Sequence, residues 1–157
     1  MNKFCLVAAF AMVSTILSCN APQHPDFAEA KKEILALDAK QRAFHFGKDA
    51  RDFVHLFSKD FLSINQGKIE HPAEADSYET FNKYFNSVDF VKWDNKSNPI
   101  IRFSEDASVA YVAVDKQVIL RLKNSHGKLD TTNFAWLAVY KKTPDGWKID
   151  CVTSTNQ

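Results

Sequence analysis

Between Phe27 and Phe46 the apolar positions step by three and four, whereas beyond Val88 they alternate. The first period predicts a helix over about 27–46, with Phe27, Ala30, Ile34, Leu37, Gln41 and Phe44 on one face. Gln41 is the polar member of that stripe. Gly47 supplies a left-handed stop, and Asp49 with Asp52 opens a second helix that runs to about Ser58. That helix directs Ala50, Phe53, Val54 and Phe57 inward, and Phe61 to Asn65 then alternates as a short strand ended by Gln66-Gly67. A polar loop over 66–76 contains His71-Pro72, after which Asp76 and Glu79 form a capping box for a third helix near 77–86.

The rest of the chain reads as strand, over about 88–94, 99–104, 107–122, 131–142 and 147–154. The connections carry good turn chemistry: Asp94-Asn95-Lys96-Ser97-Asn98, Glu105-Asp106, Asn124-Ser125-His126-Gly127 and Thr143-Pro144-Asp145-Gly146. Helices first and an antiparallel meander afterwards is an α+β order, not a βαβ alternation.

Three segments carry a resemblance to a known family. Leu35 to Leu62 holds a long helix, Gly-Lys-Asp, a short helix with Phe53, Leu56 and Phe57, and Ser58-Lys59-Asp60-Phe61 leading into a strand. Tyr78 to Phe85 supplies the third helix. Phe134 to Thr153 supplies a closing hairpin with Ala138-Val139-Tyr140-Lys141-Lys142 and Asp145-Gly146-Trp147-Lys148-Ile149. In this order they resemble the nuclear transport factor 2-like superfamily, in its SnoaL-like branch, over about residues 27–155. The resemblance implies a cone-shaped domain: three N-terminal helices on a strongly curved, mostly antiparallel sheet, with a pocket inside. It also implies, as in many relatives, a homodimer through the open face of the sheet, using outward apolar residues of the 107–122 and 131–142 strands.

Residues 1–18 differ from the domain. Lys3 is their only charge, and Phe4 to Leu17 is apolar apart from Ser14 and Thr15. That run is short for a permanent span and sits where a secretory signal sits. Ile16-Leu17-Ser18-Cys19 resembles a lipobox, in which the cysteine is diacylated and becomes the new N-terminus; the competing reading is an ordinary signal peptide cut after Ala21. Residues 19–26 are then a lipidated tether containing two prolines, and 27–157 is the domain. Cys5 leaves with the leader, so Cys151 is the mature chain's lone free thiol and reads as a small apolar core residue.

Composition narrows the partners. Twenty basic residues face 19 acidic ones, and removal of Lys3 balances them. No basic surface calls for nucleic acid or an anionic membrane, so membrane contact is expected only through the lipid. No two histidines on one element have metal-ligand spacing, no Cys-x-x-Cys is present, and the four glycines read as turns, so no metal or cofactor is expected.

Relatives that are isomerases or dehydratases place an Asp or His in the pocket as acid or base. Related closing strands often carry His at the fourth and sixth positions after the Trp, where this chain has Cys151 and Thr153. The remaining catalytic candidates are Asp115, mid-strand among apolar neighbours, and His71, in the loop that could rim the pocket mouth. Asp115 serves only if the Tyr111, Ala113 and Gln117 face turns inward, and the opposite face, with Val112, Val114 and Val118, is the more apolar. Lys116 is the awkward member of that apolar face. His45 and His55 flank their helical stripes and read as solvent-exposed. The pocket is expected to be lined by Gln41, Trp93, Trp136, Cys151 and Thr153, with Gln41 as the polar contact.

Three functions follow from this set: a binding module for a small, mainly apolar ligand; an isomerase- or dehydratase-type enzyme; and an interaction domain whose cone is filled by its own aromatics. The address is testable directly. The mature chain is expected to begin at Cys19 with a diacylglycerol thioether, anchored in the cell envelope. Intact-mass analysis of the protein extracted from membranes checks this, and an unmodified start at Pro22 would refute the lipid.

Overall fold

The computed structural model describes residues 25–123 and 126–157. The leader, Cys19, most of the tether and half of the 124–127 turn lie outside the described residues.

The element order is α1 (Phe27–Gly47), α2 (Ala50–Val54), β1 (Phe57–Asn65), β2 (Lys68–Glu70), α3 (Glu74–Ser87), β3 (Val88–Asn95), β4 (Ile100–Phe103), β5 (Val109–Leu122), β6 (Leu129–Thr143) and β7 (Gly146–Asn156). The sheet runs β2-β1-β7-β6-β5-β3, with β4 also pairing β5. Among the described residues the β1–β7 pair is parallel and every other pair antiparallel. One edge of β5 is shared: β4 pairs with its Ala110–Ala113 half and β3 with its Lys116–Leu122 half.

The helices start and stop for local reasons. The Asp26 side chain accepts from the N–H groups of Ala28 and Glu29, satisfying donors that the first turn leaves free. At the other end Gly47 is still helical, and the left-handed stop falls on Lys48 at φ 58°. Asp49 caps α2 by accepting from the Asp52 N–H, as its position suggests. That helix is shorter than its apolar spacing predicts, because Phe57 pairs with Ile149 on β7 and Ile149 N–H donates to Leu56 O. Sheet pairing overrides the helical pattern from Phe57 onward, and β1 begins four residues before the expected strand. Gln66 and Gly67 both adopt positive φ, so the expected loop opens with a tight hairpin into β2. Helix α3 begins at Glu74 without a side-chain cap, so Asp76 and Glu79 lie inside it and form no capping box. Its first turn is instead acidic, with Glu74 and Asp76 opposing the dipole.

Two apolar clusters hold the helices on the sheet. In the first, Ala30 and Ile34 of α1 pack on Val112, Tyr140, Trp147 and Ile149. In the second, Ala50, Phe53 and Phe85 pack on Val88, Phe90, Trp93 and Val118. On the outer face of the sheet Ile100, Val109, Tyr111 and Leu137 remain exposed. No helix among the described residues is long and apolar enough to cross a membrane.

Candidate functional site

A cavity of about 320 Å³ lies between the two clusters, roofed by α1 and α3 and walled by the sheet. Its lining draws on Phe61, Val112, Tyr140 and Ile149 from one cluster and Phe53, Trp93 and Val118 from the other. Ser63, Asn65, Glu70, Ser77 and Thr80 supply its polar and small lining from β1, β2 and α3, with Pro72 from the loop between the last two.

On β3 and β7 a β-bulge decides which side chains enter this space. On β3, Phe90 pairs with Leu120 and Lys92 with Ile119, so Val91 is an extra residue. Side chains alternate along a strand, and one extra residue flips every later one. Val88 and Phe90 therefore point inward, Val91 is exposed, and Trp93 joins the interior. On β7, Ile149 pairs with Tyr140 and Cys151 with Val139, leaving Asp150 extra. Ile149 and Val152 consequently line the cavity, whereas Cys151 and Thr153 do not. The expectation that Cys151 and Thr153 floor the pocket is corrected by this bulge: Thr153 lies against an open trough on the outer sheet face, beside Ala113, Asp115 and Leu137. Burial also pushes the Cys151 thiol above its ordinary pKa, away from a thiolate.

Gln41, Trp93 and Trp136 do line the cavity. Asp115 faces outward, where its carboxylate accepts from the Ser97 N–H at 3.1 Å and hydroxyl at 2.7 Å. The Ser97 hydroxyl holds that carboxyl below its usual range, so Asp115 fastens the loop at the point where β5 changes partner from β3 to β4. His71 is exposed next to Pro72 and is not part of the lining. His55 is exposed as expected, but His45 is 5% exposed and lines the cavity.

The polar wall comes from one face of α1. Asp38, Gln41 and His45 recur at intervals of three and four, which stacks them along a single helical stripe. His45 sits among Trp93, Phe53, Phe85 and Phe90 at 4.4–5.1 Å between ring centroids. Its Nδ1 is 2.7 Å from the Gln41 carbonyl oxygen. A carbonyl only accepts, so Nδ1 carries the proton. Burial pushes the ring's pKa down to about 4, against the pull of that carbonyl, so at neutral pH Nε2 is an uncharged lone pair. Gln41 Nε2 donates to the Tyr140 hydroxyl at 3.0 Å. Burial pushes the Tyr140 phenol up to about 12, which keeps it a neutral hydroxyl.

Behind this wall lies Lys116, 1% exposed and absent from the lining. Its ammonium is 3.4 Å from Asp38 Oδ1 and 3.2 Å from the centre of the Trp93 ring, with Trp136 at 5.5 Å. Asn95 Nδ2 donates to Asp38 Oδ2 at 3.0 Å. Burial pulls the Lys116 amine down to about 8, with Asp38 opposing that shift. Sequence reasoning missed Asp38, His45, Tyr140 and the Asn95–Lys116 support. The stripe Ile34, Asp38, Gln41, His45 was the available signal for the first two, and the misfit of Lys116 on an apolar face was the other. Among the described residues no cluster of His, Cys, Asp and Glu could hold a metal.

Comparison with solved structures places the architecture. A nuclear transport factor 2-like superfamily protein from Salmonella enterica subsp. enterica serovar Typhimurium str. LT2 superimposes with a TM-score of 0.70 at 17% identity, covering 83% of this chain and 92% of that one. The chain has the nuclear transport factor 2-like fold. An NTF2-like protein from Cytophaga hutchinsonii matches with a TM-score of 0.65 at 17% identity, over 81% of this chain and 98% of the other. A ketosteroid isomerase-like protein from Erwinia carotovora atroseptica has a TM-score of 0.64 at 17% identity, over 83% and 98%. At such identities the likeness concerns the fold alone, and the NTF2-like fold hosts many functions. No protein-family model matches the sequence, and no curated protein matches it.

The buried imidazole makes stability depend on pH. Because the folded pKa of His45 is lowered from 6.5 to about 4, the unfolded chain takes up the proton first as pH falls. Its contribution is therefore intact above 6.5 and lost progressively down to about 4. Wild type is expected to lose about 2 kcal/mol more than His45→Gln between about pH 7 and about pH 5. Urea unfolding of both proteins at the two pH values checks this, and parallel losses would contradict a neutral buried ring.

Proposed function

We propose that the domain binds a small, mainly apolar molecule inside the cone, with the polar end of the ligand at the Asp38–Gln41–His45 face. The observation that carries this reading is the cavity of about 320 Å³, whose aromatic walls are broken by polar groups converging from one helix. That is the usual make-up of a small-molecule site, at the lower end of its size range. An open space of this size speaks against an interaction domain filled by its own aromatics. The test is titration of a neutral apolar fluorophore, N-phenyl-1-naphthylamine, into the purified chain. Saturable one-to-one binding is expected, weakened more than about tenfold in Ala138→Phe, which grows a ring into the cavity. Equal binding by a folded Ala138→Phe protein would remove the cavity from consideration.

A second reading, isomerase- or dehydratase-type proton transfer, gains one observation: His45 presents a neutral Nε2 inside the cavity at physiological pH, and the same lining carries a Tyr140 hydroxyl that stays protonated. Deuterium exchange into the α-carbon of a bound ketone, lost in His45→Gln, distinguishes this reading from plain binding.

The order of local segments supports assignment to the SnoaL-like branch, and the leader with Ser18-Cys19 supports an envelope lipoprotein whose domain hangs on the 19–26 tether. The exposed Ile100, Val109, Tyr111 and Leu137 support a homodimer through the outer sheet face. Sedimentation equilibrium of the domain at micromolar concentration is expected to give twice the chain mass, and Tyr111→Lys with Leu137→Lys to give the monomer. A wild-type monomer would refute the dimer.

A further inference from the structure

Charge is distributed unevenly around the cavity. Asp38 and Glu70 line it, and among the described residues no lysine or arginine does. The buried cation of this region, Lys116, is held back from the lining by its contacts with Asp38 and Trp93.

Asp38 is only partly used by the protein. An ionised carboxylate offers about four lone-pair directions. Lys116 Nζ takes one on Oδ1 and Asn95 Nδ2 takes one on Oδ2, and the side chain remains 31% exposed on the cavity lining. Two turns along the same helical face, His45 adds a second acceptor. Its ring is 5% exposed, its Nδ1 proton is committed to Gln41 O, and among the described residues no hydrogen bond reaches Nε2. A donor group of a ligand in the cavity would give Nε2 the hydrogen bond it lacks. Two groups on this face that stay open to a ligand, the Asp38 carboxylate and His45 Nε2, are therefore acceptors.

The walls suit a cation as well. Trp93 already carries an ammonium over its ring at 3.2 Å, with Trp136 at 5.5 Å and the Asp38 carboxylate alongside. This combination of indole faces and carboxylate keeps an organic cation out of water within the fold itself.

We propose that the ligand is a small apolar amine, bound as its ammonium to Asp38 with its hydrocarbon or aromatic body against Trp93, Trp136 and Phe134. The inference rests on reading the cavity as a binding site and adds the chemical class of the occupant. Repulsion from Lys116 is limited because its amine, lowered to about 8 by burial, can release its proton when a second ammonium arrives. The charged and titratable groups around Lys116 are Asp38, Arg42 and His45 of α1 and Asp94 of β3. A carboxylate ligand finds no cationic partner on the lining and meets Asp38 and Glu70 instead.

The experiment compares three bicyclic probes of matched shape by isothermal titration of the purified full-length chain: tryptamine, indole-3-ethanol and indole-3-propionate. Tryptamine is expected to bind about tenfold to a hundredfold tighter than the alcohol, the range of a charge-assisted hydrogen bond, with the carboxylate weakest. In Asp38→Asn the ratio of amine to alcohol affinity is expected to fall to about one. If that variant unfolds because Lys116 loses its partner, Asp38→Asn combined with Lys116→Met removes both buried charges and carries the same expectation. Alcohol binding as tight as amine binding, or the carboxylate binding best, overturns the amine while leaving the cavity as a binding site. Failure of all three probes, with N-phenyl-1-naphthylamine still bound, also overturns the amine alone. Failure of every probe overturns both readings.

Discussion

An ammonium group sealed from water must be held by the chain, and the Lys116 ammonium constrains everything around it. Burying an ion costs several kcal/mol even after relaxation, and the Coulomb attraction of a partner offsets this only with good geometry. Here the compensation comes from Asp38 on α1 and from Trp93 on β3, against a lysine on β5. The pair therefore ties the roof of the cone to its wall. It also fixes the rotation of α1. Once Asp38 meets Lys116, the helical repeat turns Gln41 and His45 toward the same interior.

The two bulges complete that arrangement from the sheet side. The extra Val91 places Trp93 under the ammonium and brings Asn95 level with Lys116, from where it holds the second oxygen of Asp38. The extra Asp150 directs Ile149 and Val152 inward and keeps the cavity wall aliphatic near Tyr140. Its carboxylate accepts from the Ser58 hydroxyl at 2.7 Å, which ties the bulge to the start of β1. Neither bulge is a defect in pairing; each re-aims the side chains that follow it, at the part of the sheet that faces the cavity.

Polarity inside the cone is thereby kept on one side. Gln41 O and Nε2 satisfy His45 and Tyr140, so α1 buries polar groups with few uncompensated donors. Opposite, phenylalanine, tryptophan and valine side chains leave space that rigid rings do not fill. A neutral imidazole and a protonated phenol share that space because burial moves both away from ionisation, and Lys116 and Asn95 contact the Asp38 carboxylate beside them. With a fold that many functions share, these groups, not the architecture, carry the functional argument.

Period and punctuation along the chain determined most of the elements and their order, though not β2. The helical spacing from Phe27, the capping Asp49 and the alternation after Val88 are local properties, and the local backbone answers to them. Gln41 could be read as an interior residue for the same reason. Tertiary structure decided which face of each strand looks inward after a bulge, because one unpaired residue reverses alternation and leaves no mark in composition. Trp93 and Asn95 were turned in that way, and Cys151 and Thr153 were turned out. It also decided that Phe57 leaves a helix for a strand, and that Lys116 and His45 are buried. A charged or titratable side chain is tolerated inside only when partners from distant segments meet it, and no local pattern records that Asp38, Trp93 and Lys116 will converge.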